Sequence, residues 1–221
     1  MRTQGCGTLA STVYRWIIDP LLAPLRPKTV RLCLKHGLDS VLDIGTATGA
    51  QCRALATAGI HAIGLDLSEA MITAAKARPS GNIEYVVGSA YDLPFTDASI
   101  RAVLLSLALH EHSEKERSRM LIEAVRVLEP GGHLILTEYS QPGRPCCHIP
   151  WLIIQLIENL AGGDHRAGFH QFMKTGGLKG LLKRHGLRAS EVAYSHFHTL
   201  AIAVIPINPQ DLESQTPTAI S

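Results

Sequence analysis

The stretch Val41-Leu42-Asp43-Ile44-Gly45-Thr46-Ala47-Thr48-Gly49 constrains the fold more than any other part of the chain, because it joins an apolar strand to a small-residue turn with an acid near the junction. Val41, Leu42 and Ile44 suit a parallel strand buried on both faces, and Gly45 and Gly49 allow a tight turn over the strand's carboxyl end. A helix is expected from about Ala50. Doubly wound sheets bind nucleotides at such a strand, turn and helix, in the crevice outside the strand ends. A pyrophosphate-binding turn fits poorly, since it needs G-x-G-x-x-G and here Gly45, Ala47 and Gly49 are followed by Ala50 and Gln51. No P-loop lysine follows either. Asp43 points instead to a cationic or amino-bearing ligand, because like charges close together in a partly dry site repel.

The following segments continue the pattern. Residues 61–66 read as a second strand ending in Asp66, about 20 residues after the first turn, which is where such folds set a carboxylate on a ribose. The alternative for Asp66 is a helix N-terminal acid beside the N-cap Ser68. Residues 83–88 give a third strand, followed by Ser89-Ala90-Tyr91-Asp92-Leu93-Pro94-Phe95. The apolar run 100–109 reads as a central strand, and His110-Glu111-His112 comes directly after it. A polar helix is expected over 114–128, then Leu128-Glu129-Pro130-Gly131-Gly132 as a turn into a fifth strand. Residues 188–197 and 199–207 read as the last two strands.

Over residues 40–140 these motifs, in this order and spacing, resemble the class I methyltransferases that use S-adenosylmethionine. Within them they are similar to the group of the ubiquinone- and menaquinone-biosynthesis C-methyltransferases. Two positions depart from the family pattern. Ala47 replaces the middle glycine of its first motif, which a residue with negative φ tolerates. Ser89 stands where an acid commonly accepts the adenine amino group, and a neutral hydroxyl is the weaker partner. The resemblance implies a Rossmann-like, doubly wound, seven-stranded α/β sheet, mostly parallel with an antiparallel C-terminal strand, and helices on both faces. It also implies S-adenosyl-L-methionine as cofactor and no metal. Asp43, Gly45, Thr46 and Gly49 would surround the methionine end, Asp66 and Leu67 the ribose, Ser89 and Ala90 the adenine, with Ser106 beside the cofactor. Asp92 either substitutes for the acid missing at Ser89 or caps the loop. His110 and His170 are the candidate bases. The implied activity moves a methyl group to a small lipophilic or aromatic acceptor such as a quinone precursor or lipid, and the alternative is a catalytically silent S-adenosylmethionine-binding protein.

The rest of the chain is consistent with one α/β domain, for which 221 residues is an ordinary length. The 21 Lys and Arg against 19 Asp and Glu are scattered, so the basic stripe of a nucleic-acid binder is absent from the sequence. Cysteines at 6, 33, 52, 146 and 147 form no disulfide framework, and with no signal-peptide stretch a reducing cytoplasm is expected. Residues 1–36 are expected to form a helical lid with Tyr14 as a contact, or to graze a membrane through Trp16 and Ile17. The domain proper is expected over 37–207, with a substrate-side insertion at 140–175 and a disordered tail at 208–221. The insertion's apolar stretch 149–157 is too short to span a bilayer. Among the later histidines, His170 with Phe169, ahead of a helix at 175–185, is expected to reach the pocket. His196 and His198 would share one face of the last strands.

Overall fold

The computed structural model describes residues 19–78, 81–141 and 163–207. In chain order it contains α1 (Asp19–Leu22), a 3₁₀ turn (Ala23–Leu25), α2 (Arg26–Lys35), β1 (Ser40–Ile44), α3 (Ala50–Thr57), β2 (His61–Asp66), α4 (Glu69–Lys76), β3 (Ile83–Val87), β4 (Ile100–Ser106), α5 (Glu114–Val127), β5 (Leu128–Tyr139), α6 (Gly163–Lys174), α7 (Gly177–Arg184), β6 (Glu191–Ser195) and β7 (Leu200–Pro206). The expectations for Tyr14, Trp16, Ile17, Cys146, Cys147, residues 149–157 and 208–221 fall outside the described residues.

The strands form one sheet in the order β3-β2-β1-β4-β5-β7-β6. β7 runs antiparallel to β5, and the other pairs along the sheet up to β5 are parallel. From β1 the chain winds outward to β2 and β3, then returns past β1 to β4 and winds the other way. The crevice between the carboxyl ends of β1 and β4 is therefore the switch point at which such sheets bind ligands. Consecutive residues Val41 and Leu42 in β1, and Ala102 to Leu105 in β4, are all fully buried. Burial at both odd and even positions requires cover on both faces of the sheet, which explains why these strands read as continuous apolar runs.

Side-chain caps and one arginine fix the loops around this sheet. Ser68 caps α4 by accepting from Met71 N, and Ser113 and Glu116 form a reciprocal capping box at the start of α5. In the last turn of α5, Arg126 bonds Glu123, Asp97 and the carbonyls of Leu93 and Phe95. This holds the Leu-Pro-Phe loop against the helix.

Three local features differ from expectation. β5 begins at Leu128, before the Pro-Gly-Gly segment, and its register with β4 jumps from Ile100↔Leu128 to Ala102↔His133, so that segment bulges out of a continuing strand. Residues 163–174 are helical. The signal for α6 was the i, i+3, i+4 set Phe169, Phe172 and Met173, all buried, which glycines at 163 and 168 obscured. Gly168 is required by close packing, because an added Cβ would lie 2.6 Å from the Glu111 carbonyl carbon. His196, Phe197 and His198 do not share a strand face: they form the β6–β7 connection, all three with positive φ. Thr199 closes that connection by donating from its backbone N–H and its hydroxyl to the His196 carbonyl.

Candidate active site

Asp43 lies at the carboxyl end of β1 and is 2% exposed. Its Oδ2 accepts from the Thr46 hydroxyl at 2.7 Å and from the Cys52 thiol at 3.6 Å. Both partners are neutral. Burial therefore dominates and pushes the carboxyl up to about 6, against the lowering effect of the two hydrogen bonds. Cys52, which sequence reasoning left without a role, is kept a thiol by the same burial, well above its usual range. Above Asp43 is a cavity of ≈ 40 Å³. Asp43, Gly45, Thr46 and Ser106 line it, so four of the expected residues converge. Gln51 on α3, and Leu22, Leu25 and Arg26 from the segment before β1, line it as well.

The turn is built by backbone bonds into β2. Gly45 and Thr46 donate to the Leu65 carbonyl, Ala47 N donates to Asp66 Oδ2 at 2.8 Å, and Ser68 N donates to Asp66 Oδ1 at 2.9 Å. Asp66 therefore ties the first turn to the start of α4: it is a strand-end acid that also engages a helix N-terminus. Ala47 takes φ +48°, not the negative φ expected for a tolerated alanine. A left-handed alanine costs about 1–2 kcal/mol, and glycine's extra chain entropy returns about half of that. Ala47→Gly is thus expected to raise stability by about 0.5–1 kcal/mol in a urea melt. Gly49 takes φ +72°, and an added Cβ would run into the Tyr85 phenol, so this glycine serves both the turn and the packing of β3's side chain.

Beyond Asp66, Leu67 is 72% exposed and Val87 49% exposed, an uncovered apolar surface at the carboxyl ends of β2 and β3. Ser89 accepts from Tyr91 N at 3.1 Å, and Asp92 N donates to the Ser89 carbonyl, so these residues shape their own loop, with Ala90 half-buried inside it.

On the other side of the switch point, His110 is buried with its Nδ1 3.0 Å from Glu138 Oε2. Glu138 is fully buried at the end of β5 and also accepts the backbone N–H groups of Leu109, His110 and Tyr139. The His110 ring stands edge-on to Tyr139 and Phe169, at 4.8 and 6.2 Å between centroids. Arg117, the largest fully buried side chain among the described residues, donates to the carbonyls of Leu109, His110 and Gly168 and lies over the Phe172 ring. Neither Glu138 nor Arg117 was found from sequence. Nothing in a sequence distinguishes a buried charge in an amphipathic helix, or at a strand end, from a solvated one. His170, expected to reach the pocket, lies on an exposed part of α6 and does not line the Asp43 cavity. Among the described residues, no group of three His, Cys, Asp or Glu side chains gathers to hold a metal.

Residues 42–136 match the family described as the methyltransferase domain. The demethylmenaquinone methyltransferase of Clavibacter sepedonicus is 36% identical over 122 residues, 54% of this chain and 49% of that protein. The chain thus spans about half the length of the curated relatives it matches. A protein of Pyrococcus horikoshii of known structure superposes with TM-score 0.64 at 19% identity, covering 88% of this chain and 98% of that one. The N-methyltransferase NodS of Bradyrhizobium japonicum, solved in complex with S-adenosyl-L-homocysteine, gives TM-score 0.63 at 17% identity, covering 89% and 91%. At these identities the two structures share the fold.

Proposed function

We propose that this chain, whose residues 42–136 match the methyltransferase domain family, is of the class I type and moves a methyl group from S-adenosylmethionine to a small lipophilic or aromatic acceptor. The observation that carries the reading is Asp43: a desolvated carboxylate, bonded to neutral groups, at the sheet's switch point. An amino group is a partner that such a carboxylate suits, as a cation that can donate to it. The uncovered Leu67 and Val87 beside Asp66 supply a flat apolar seat for a base next to a hydroxyl acceptor for a ribose. These residues fit the cofactor's amino acid, ribose and adenine in that order along the strand ends. Gly45, Thr46 and Ser106 complete the methionine side, and Ser89 with Ala90 the adenine side.

When bound, the cofactor supplies an already electrophilic methyl group. The chain's task is then to hold the acceptor in line and take up any proton it releases. Glu138 lies 3.0 Å from Nδ1 of His110 and orients that ring, and the Tyr139 and Phe169 rings pack edge-on against it. The aromatic surroundings favour a flat, lipophilic acceptor, in keeping with the quinone precursor in the relatives' name.

Calorimetric titration tests the cofactor reading. S-adenosylhomocysteine is expected to bind in the micromolar range and NADH not at all. Asp66→Ala is expected to weaken binding about tenfold or more and to cost about 1–3 kcal/mol of stability, because two turn N–H groups lose their acceptor. Intact affinity in that variant would refute the ribose assignment. Transfer of labelled methyl groups to a short-chain demethylmenaquinone tests the acceptor class. Binding without transfer to any quinone or lipid would favour the silent-binder reading, for which Ser89's engagement within its own loop is the supporting observation.

A further inference from the structure

Two faces of α2 are apolar. Leu32 and Cys33 join the core, with Thr29 buried beside them. Pro27, Val30 and Leu34, at i, i+3 and i+7, share another face, which meets Ala54 and Thr57 of α3. The larger side chains of α3, Cys52 and Leu55, are fully buried, so α3 offers only small side chains to α2. The result is a groove of ≈ 480 Å³ between the two helices. Leu34 stands 54% exposed at its end. The groove shares Arg26, and no other lining residue, with the cavity over Asp43.

Every charged side chain on α2 and α3 is a cation: Arg26, Lys28, Arg31, Lys35 and Arg53. Four of them are committed. Lys28 and Lys35 turn to β6, where they donate to the Tyr194 carbonyl and to Glu191, and Arg53 donates to the Thr48 carbonyl. Burial raises the Asp43 carboxyl, and the charge of Arg26 acts to lower it. Arg31 differs: it lines the groove, is exposed, and its guanidinium makes no hydrogen bond or ion pair among the described residues. An apolar trough beside an uncommitted guanidinium, with no carboxylate on either helix, complements an alkyl chain that ends in an anion. A carboxylate is the anion that a planar guanidinium matches with two parallel hydrogen bonds. The groove is concave and only Leu34 stands out of it, so it admits a single chain; a helix that lies in a bilayer surface presents a whole apolar face instead. From Pro27 to Leu34 the helix rises about 10 Å, the reach of a medium-length chain.

We propose that the groove between α2 and α3 is a binding site for one alkyl carboxylate of medium chain length, with its chain along Pro27, Val30, Leu34 and Ala54 and its carboxylate on Arg31. The proposal is independent of the cofactor reading above, since neither Arg31 nor Leu34 lines the cavity over Asp43. Burial of methylenes supplies the affinity, each one that enters the groove tightening binding about fourfold. Arg31 selects the sign of the charge.

Calorimetric titration of the full chain with octanoate, decanoate, decanol and decyltrimethylammonium, each below its micelle-forming concentration, tests this. Decanoate is expected to saturate at one per chain and to bind about tenfold more tightly than octanoate, which is two methylenes shorter. Decanol is expected to bind about fivefold more weakly than decanoate, and decyltrimethylammonium not to saturate. In hydrogen–deuterium exchange, decanoate is expected to protect residues 27–34 and 54–57. Arg31→Glu is expected to weaken decanoate about tenfold or more, and Leu34→Gln about threefold. Both side chains are exposed, so an unchanged melting temperature will confirm that the variants fold. The absence of saturable decanoate binding, equal binding of the three decyl compounds, or undiminished binding by Arg31→Glu would overturn the proposal. Adsorption to phosphatidylglycerol vesicles without decanoate binding would replace it with a membrane face, and self-association abolished by Leu34→Gln, again without decanoate binding, would replace it with a second copy of the chain.

Discussion

Asp43→Asn is expected to make the protein more stable and unable to hold its cofactor. Burial lifts the Asp43 carboxyl from 3.8 to about 6. An unfolded chain gives up this proton near pH 4 while the folded one keeps it until about 6, so the folded state binds more protons in between, and stability falls as pH rises through that window. Above it the full penalty of the buried charge remains, about two pKa units or about 3 kcal/mol. Asparagine keeps the shape and the acceptor for Thr46 and Cys52 but carries no charge. Allowing for its new amide donor, the net gain is expected to be about 2 kcal/mol, or about 4–8 °C in melting temperature for a domain of this size. The same change removes the partner of the cofactor's ammonium in a dry site, and S-adenosylhomocysteine is expected to lose about 100-fold or more in affinity. In the wild type, affinity is expected to fall about tenfold per pH unit below about pH 6, as Asp43 takes up its proton. A flat affinity between pH 7 and 5, or a destabilised Asn variant, would show that Asp43 is not the buried charge the geometry makes it.

The second large effect is on stability. Arg117→Met is expected to cost about 3–5 kcal/mol, read as a drop in the urea midpoint at unchanged m-value. Methionine fills most of the volume and keeps contact with Phe172, so the loss isolates the polar role. Three backbone carbonyls, of Leu109, His110 and Gly168, lose their donor, and Glu114 and Gln171 lose a partner. Arg117 is thus the clamp that fixes the loop after β4 to α6, and through it the position of His110. Leu107 in that loop takes φ +54°, a conformation that persists only where the surroundings impose it. A loss under 1 kcal/mol would mean that water replaces the guanidinium, and that the loop is held by Glu138 alone.

The sheet was legible in the sequence because its central strands are buried on both faces. Burial of that kind leaves apolar runs at 41–42 and 102–105, and the ends of these strands mark the switch point. Asp43, Gly45, Thr46 and Ser106 were found because a motif fixes them by adjacency to those strand ends, and all four line one cavity. α6 was missed because its glycines diluted a three-residue apolar signal. The pairing of His196 with His198 was misplaced because a turn of three left-handed residues has the same sequence period as a strand.

The sequence by itself determined the strand order's central crevice, the acid within it and the acid on the neighbouring strand, since each follows from local pattern and chain direction. Tertiary structure alone decided which charges are dry. Asp43 is bonded to the neutral Thr46 and Cys52, Glu138 gathers three backbone N–H groups and the His110 ring, and Arg117 is sealed under three carbonyls, with Glu138 and Arg117 reaching groups 28 to 51 residues away in the chain. A side chain's ionisation and energy depend on what replaces its water, and no local run of residues specifies that replacement.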